Sequence, residues 1–421
     1  MSNSSHANNA VENTAPESAV DLGPICVVVD PWDLPYNGTV VSSRRFVNAL
    51  RNQGYGFRIL SCPAEGVEPH RSSSTDNNDV DSRQGRLERC YFPVLSVPGV
   101  NRIIRGMKVL LARSKSEQMR QALTGAGILH VQFPFFLGYA AIRMARSLGV
   151  PVICSFHVQP ENLLLNLGLD FRWLRELLYK VFIHFIYNKA DMVIAPSQFA
   201  ADELLKRDLR KPIEVVSNGV PDEFFQAMRS AEHDSSDDTF RVLSVGRLSG
   251  EKQQALLIEA IALSEHREKI SLELVGAGPN EAKLKALISQ RSIKATVETV
   301  SNDELLKRYR DADLFVHCGM IELEGMSVVE AMAMGNAVLV SDSIDSAANV
   351  FALDDRAKFK AGDAKDLSLK LDYLINHSSE RMMLANKNRN FIQAYRHETC
   401  VAKLLSLYVA LAEQSNDGLV D

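Results

Sequence analysis

Two carboxylates eight positions apart, Glu322 and Glu330, bracket a glycine and a serine in the run IELEGMSVVEAMAMGNAVLVS, residues 321–341. Gly335 closes a predicted helix just before the strand formers Ala337–Val340. A strand end, a Gly-containing turn and a helix start together turn backbone N–H groups toward a phosphate. The client this layout predicts is nucleotide-linked and held at a helix N-terminus. Ser327-Val-Val-Glu330 also reads as a capping box, in which the glutamate ties off backbone donors. The two readings can coexist, because a capped helix start is still an anion site. Glu322 has no capping explanation. Beside a phosphate it would be repelled, so its predicted partners are sugar hydroxyls, which donate hydrogen bonds to a carboxylate.

A second cluster lies in Val245-Gly-Arg-Leu-Ser-Gly-Glu-Lys252. Arg247 and Lys252 follow a predicted strand end, where a bidentate guanidinium and a point-charge ammonium suit a diphosphate. A solvated loop with surface charges is the plainer alternative. His157 ends the strand-like run Val-Ile-Cys-Ser-Phe-His and is placed to hydrogen-bond a substrate or carry a proton. A structural histidine is its competitor. His130 and Gln132 start another strand end, and Asn37-Gly38 follows the first strand, where a tight turn would bring amides near a ligand.

Other patterns fall short. Val275-Gly-Ala-Gly-Pro-Asn-Glu281 has two glycines of a dinucleotide fingerprint and a glutamate where the third would stand. Asp311-Ala-Asp313 has the form of a metal-binding pair but sits on a helix flank leading into a strand, so no metal site is expected there. No Ser/His/Asp nucleophile motif and no zinc-like His/Cys spacing stands out.

These groups must be positioned by alternating elements. Near-continuous apolar runs at 25–29, 57–61, 128–133, 152–156, 192–195 and 213–216 predict one series of strands. A second series is predicted at 241–245, 271–275, 295–300, 314–317, 337–340 and 358–360. Amphipathic segments such as 255–264 and 281–290 separate them, which implies parallel sheets covered on both faces. The fold class is therefore α/β, with two doubly wound domains.

The expected division is a disordered polar tail 1–21, a first domain 22–221 with a mobile loop about 65–89, and a linker 222–239. A second domain 240–397 and a terminal helix and tail 398–421 follow. The linker holds six acidic residues against one arginine.

With 421 residues there is room for both cores, and a net charge of −5 argues against a nucleic-acid partner. Six scattered cysteines without a CxxC pair read as buried free thiols in a reducing compartment. The N-terminus shows no secretory leader. The most apolar helix, Trp173–Tyr187, carries Arg175, Glu176, Lys180 and His184 and is too short to span a bilayer.

In this order, VGRLSGEK (245–252), the Glu322/Glu330 pair, APS (195–197) and VSNGV (216–220) resemble glycosyltransferase family 4, over about 25–408. The resemblance implies the GT-B fold, two Rossmann-like domains facing a cleft. It implies a retaining enzyme that moves a hexose from a UDP- or GDP-linked sugar, without a cofactor or metal. Arg247 and Lys252 would hold the diphosphate, Glu330 the ribose and Glu322 the transferred sugar. Amides of Gly325, Met326 and Ser327 would support sugar or phosphate. His157 would lie by the reacting sugar, and Gly38 would approach the diphosphate. Ala337, the loop Asp342–Ala347 and Asn37-Gly38 depart from the common pattern, which bears on donor and acceptor identity.

The acceptor expected is a lipid or cell-envelope glycan. Residues 99–120 carry six Lys or Arg and one Glu, with apolar residues sharing one helical face. Such a helix can lie on an anionic membrane or pack on the core. The expected location is cytoplasmic, peripheral on the inner face of the plasma membrane. A sugar-nucleotide epimerase or phosphorylase of the same fold, an NAD-linked oxidoreductase and a non-catalytic binding subunit are the alternatives.

Overall fold

The computed structural model describes residues 21–33, 38–63, 84–94, 114–166, 168–169, 171–227 and 238–417. Seven parallel strands form the first sheet: β1 Ile25–Val28, β2 Phe57–Ser61, β3 Leu87–Tyr91, β4 Ile128–Val131, β5 Val152–Ser155, β6 Met192–Ala195 and β7 Ile213–Val215. Six form the second: β8 Phe240–Val245, β9 Ile270–Val275, β10 Ala295–Glu298, β11 Leu314–His317, β12 Val338–Ser341 and β13 Lys358–Phe359. Their spatial orders are β3-β2-β1-β4-β5-β6-β7 and β10-β9-β8-β11-β12-β13. Both reverse direction after their first strand, between β1 and β4 and between β8 and β11. In open α/β sheets that reversal opens a crevice at the strands' carboxyl ends, where ligands bind.

The central strands β1, β4, β5, β11 and β12 are buried along their whole length, as apolar runs covered by helices on both faces must be. Helix starts use local chemistry. Ser301 accepts from the Glu304 N–H at 3.3 Å and opens the helix Asn302–Asp311. Acids in the first turn and arginines in the last then match that helix's dipole.

Several boundaries differ from the sequence reading. Part of the expected loop 65–89 is strand: Arg58 on β2 bonds Glu88 on β3 at 2.8 Å, so a polar-looking edge strand is fixed by a cross-strand ion pair. The expected linker 222–239 begins as a short helix, Asp222–Gln226, whose Phe224 and Phe225 are buried in the second core. Those two rings outweigh the acidic residues around them. The tail 1–20, most of the loop (64–83), 228–237 and 95–113, which takes in most of the basic stretch 99–120, lie outside the described residues. Of that stretch, the described part is the start of the helix Ser116–Leu123.

The terminal helix, His397–Asp417, returns to the first half of the molecule. Its Val401, Leu404, Tyr408 and Leu411 complete the core on one face of the first sheet. Five of the six cysteines are buried, and all six are free.

Candidate active site

The loop between β11 and the helix Met326–Ala333 carries the densest chemistry. Lys252 forms an ion pair with Glu322, and Nε2 of His317, at the end of β11, lies 3.2 Å from the same carboxylate oxygen. Burial alone would raise the Glu322 carboxyl; Lys252 and His317 more than offset it and hold it down at about 2. Glu322 is therefore a charged acceptor at neutral pH. Lys252 reaches it from the loop after β8, the strand next to β11, so the pair sits at the sheet's reversal point.

Gly325 caps the next helix at φ +90°, a conformation that favours glycine, and a Cβ there would stand 2.8 Å from the Ala348 Cβ. No side chain caps this helix. The capping-box reading of Ser327 and Glu330 is corrected: Ser327 lies inside the helix, and Glu330 turns elsewhere. Tyr309 donates its hydroxyl to Glu330 at 3.1 Å, and Arg45, from the first half, stands 3.9 Å from the other carboxylate oxygen. Burial lifts the Glu330 carboxyl above its ordinary range, with Arg45 and Tyr309 opposing. First-turn amides of Gly325, Met326 and Ser327 thus have no side chain of their own to satisfy them.

Arg247 is exposed in the loop that also holds Lys252, with its carbonyl bonded by Gln254 at 2.8 Å. The two glycines of the failed fingerprint explain themselves here. A Cβ on Gly276 would stand 2.0 Å from the Gly246 carbonyl and one on Gly278 2.2 Å from that of Leu248, so they let two loops lie against each other. Asp313 is equally structural: its carboxylate accepts from the Arg241 N–H at 2.9 Å.

Across the molecule, His157 follows β5 and lines a crevice with Gln132, Ser155, Asn218 and Tyr408. Burial pushes its imidazole down to about 4. His130, deeper in, is pushed down to about 3 by burial and by His157. It bonds Tyr408 at 2.6 Å and Ser155 at 2.7 Å. Gly38 opens the helix Gly38–Asn52, and Asn37 lies outside the described residues. No left-handed turn is recorded at Gly38, and an added Cβ would meet nothing within 4 Å, so the expected tight turn does not account for this glycine.

The halves meet at the Glu322–Gly325 loop. Buried Glu324 accepts from the Ser217 hydroxyl, from the Asn218 N–H at 3.1 Å and from its side-chain amide at 2.5 Å. Burial raises this carboxyl to about 7. Ser197 donates to the Leu323 carbonyl at 2.5 Å. The Asp345 carbonyl accepts from both Glu322 N–H and the Gln159 side chain, each at 3.3 Å. Gln159 lies two residues beyond His157, so this bridge links the His157 corner to the Glu322 loop.

The sequence reading missed Glu324, His317, Arg45 and Tyr309. His317 meets the criterion that selected His157, a polar residue at a strand's carboxyl end. The others leave no local mark, because their roles depend on contacts between distant segments.

Residues 36–224 match the family model described as Glycosyltransferase Family 4, and residues 226–391 the one described as Glycosyl transferases group 1. A sulfoquinovosyl transferase of Arabidopsis thaliana is 25% identical over 66% of this chain and 55% of its own. This chain therefore spans about half of that relative. An alpha-monoglucosyldiacylglycerol synthase of Streptococcus pneumoniae is 26% identical over 75% of this chain and 70% of its own. A GDP-mannose-dependent alpha-mannosyltransferase of Mycolicibacterium smegmatis is 25% identical over 76% and 80%. Among solved structures, a sucrose-phosphate synthase from Thermosynechococcus elongatus superposes with a TM-score of 0.70 at 17% identity, covering 92% of this chain and 98% of its own. HepE of Anabaena, solved with UDP, gives 0.68 at 15% identity over 92% and 100%. At those identities the likeness carries the fold, which is GT-B.

Proposed function

This chain belongs to glycosyltransferase family 4, and on that premise we propose that it moves a hexose from a UDP- or GDP-linked sugar to a lipid or cell-envelope glycan acceptor. The reaction keeps the anomeric configuration and uses no metal, and the enzyme works at the cytoplasmic face of the plasma membrane. The names of two relatives, one a synthase of a glucosylated diacylglycerol and one a mannosyltransferase using GDP-mannose, support hexose transfer and a lipid as one acceptor class.

The observation that carries the reading is the helix start at Gly325, uncapped by any side chain, beside the Lys252–Glu322 pair. Arg247, Lys252 and the helix N-terminus supply positive charge for the leaving diphosphate. Glu322, charged down to about pH 2, accepts hydrogen bonds from hydroxyls of the transferred sugar. Glu330 takes the ribose hydroxyls. His157 lies by the reacting sugar as a neutral imidazole, since burial keeps it uncharged above about pH 4. The acceptor hydroxyl attacks the anomeric carbon from the leaving-group face, the bond to the diphosphate oxygen breaks, and that oxygen takes the hydroxyl proton. No glycosidase-style pair of carboxylates is then required.

A thermal-shift screen with UDP, GDP and their hexose conjugates tests this. A ligand bound only by the folded state raises the unfolding temperature by mass action, so one nucleotide series should stand out. The same donor should then be slowly hydrolysed by the purified chain. No shift with any nucleotide sugar overturns the reading.

A further inference from the structure

The helix Arg172–Phe185 carries more apolar surface than its packing uses. Tyr179, Phe182 and Ile183 are buried, yet Trp173, Leu177, Val181 and Phe185 recur every fourth residue on the other side. Trp173 is 66% exposed, Leu177 47% and Phe185 46%. The stripe extends at both ends. The exposed ring of Phe171 stacks on Trp173 at 6.5 Å, and Tyr139 meets Phe185 edge-on at 6.3 Å, three residues from an exposed Phe136. Isolated exposed apolar residues are ordinary, whereas a contiguous aromatic patch marks a surface that meets something.

Charge says what it meets. Arg172, Lys180 and His184 lie exposed on the same helix. The helix's one acid, Glu176, is held by Arg207 at 2.9 Å. In a chain of net charge −5, this face is locally cationic. Aromatic rings at headgroup depth, with lysine and arginine reaching outward to acidic headgroups, are the chemistry of a bilayer interface. Two copies joined through this face would set like charges against each other, which disfavours a symmetric dimer. Just upstream, the helix Pro160–Asn166 packs against Gly250–Lys252, so the patch borders the cleft.

We propose that the face built on Trp173, Leu177, Val181 and Phe185, with Phe171 and Phe136, docks in the plane of an anionic bilayer beside the cleft mouth. The docking stands apart from the choice of donor and can be measured without activity. Of the two tryptophans, Trp32 is buried and Trp173 exposed, so Trp173 reports directly. The intact chain should co-sediment at low salt with vesicles of phosphatidylcholine mixed with phosphatidylglycerol, with a blue shift in its emission. Leu177→Asp combined with Val181→Asp should weaken vesicle binding by at least about tenfold. Lys180→Glu should weaken it by about fivefold or more. Both variants should remain cooperatively folded, because each altered side chain is partly exposed and none belongs to the buried core. Vesicle binding without any donor response would leave the docking in place and remove the enzymatic reading. No co-sedimentation, unchanged binding in the double variant, or a dimer that the double variant abolishes would each overturn the docking.

Discussion

The two halves share one strand order around their reversal points, yet place opposite electrostatics there. In the second half, Lys252, Glu322 and His317 converge, and the carboxylate is held charged down to about pH 2. In the first, His157 and His130 are driven down to about 4 and 3, among hydroxyls and a side-chain amide that carry no charge. Topology fixes where a ligand can sit, and side chains decide what it must be. One wall manages ionic charge and the other offers neutral hydrogen bonds. A sugar with a diphosphate leaving group, attacked by a hydroxyl, needs one of each.

The sharpest way to break this comparison is to remove the cations. Arg247→Ala and Lys252→Ala should each lower transfer by about 10²–10³-fold, the usual cost of losing one preorganised stabiliser of a leaving group. Arg247 is exposed, so its loss should leave the unfolding temperature unchanged. Lys252→Ala strands a largely buried carboxylate beside a histidine and should also lower stability, by an amount on the order of 1–3 kcal/mol, measurable by denaturant unfolding. Near-normal donor turnover in both variants would reject the charged wall.

On the neutral wall, His157→Ala should lower transfer by about 10²-fold, with nucleotide binding by calorimetry unaltered. A fall in nucleotide affinity instead would place His157 with the diphosphate and erase the contrast. Its pH signature has a definite sign. Unfolded, a histidine binds its proton near pH 6.5; folded, His157 does so only near 4. Between those values the unfolded state holds more protons, so stability falls as pH drops from 6.5 toward 4. His157→Ala should flatten part of that decline.

Much of this was legible in the sequence, for physical reasons. Apolar runs bounded by polar loops can only be buried parallel strands, so all six predicted strands of the second sheet are present. Loops after those strands then had to hold Arg247, Lys252 and Glu322. What stayed hidden depends on distance. β3, with charges at 88 and 89, carries no clear apolar signature, and its edge position tolerates that. The Ser327–Glu330 spacing suggested a cap, but a left-handed Gly325 starts the helix instead. Glu324 leaves no mark in the sequence, and only folding shows it turned toward Ser217 and Asn218. The helix at 173–187 was legible as apolar and too short to span a bilayer, but which of its apolar side chains face the core and which stay exposed depends on packing against distant segments.

Glu324 is where the two walls touch, and it gives a smaller, pH-dependent effect. The folded carboxyl holds its proton up to about pH 7, while an unfolded glutamate releases it near 4.3. The folded state therefore binds more protons in that window, and stability falls as pH rises through it. Glu324→Gln keeps a carbonyl to accept from Ser217 and Asn218. It should flatten the decline by an amount on the order of 2–3 kcal/mol, read as unfolding free energy at pH 5 and pH 8. An unchanged slope would show that Glu324 is ionised where the halves meet.

The smallest effect asks whether Glu330 belongs to binding or to reaction. Tyr309 donates to it at 3.1 Å, and the Arg45 guanidinium stands at 3.9 Å. Tyr309→Phe removes the hydroxyl shared between Glu330 and the Ser327 carbonyl, a loss on the order of 1 kcal/mol, and leaves the ring among its buried neighbours. If Glu330 serves the ribose, that loss acts equally before and during sugar transfer. Donor KM should rise about two- to fivefold while kcat stays unchanged. A fall in kcat at constant KM would instead tie Glu330 to the charge that develops in transfer. The charged wall would then extend a helical turn further, and the ribose would need another carboxylate.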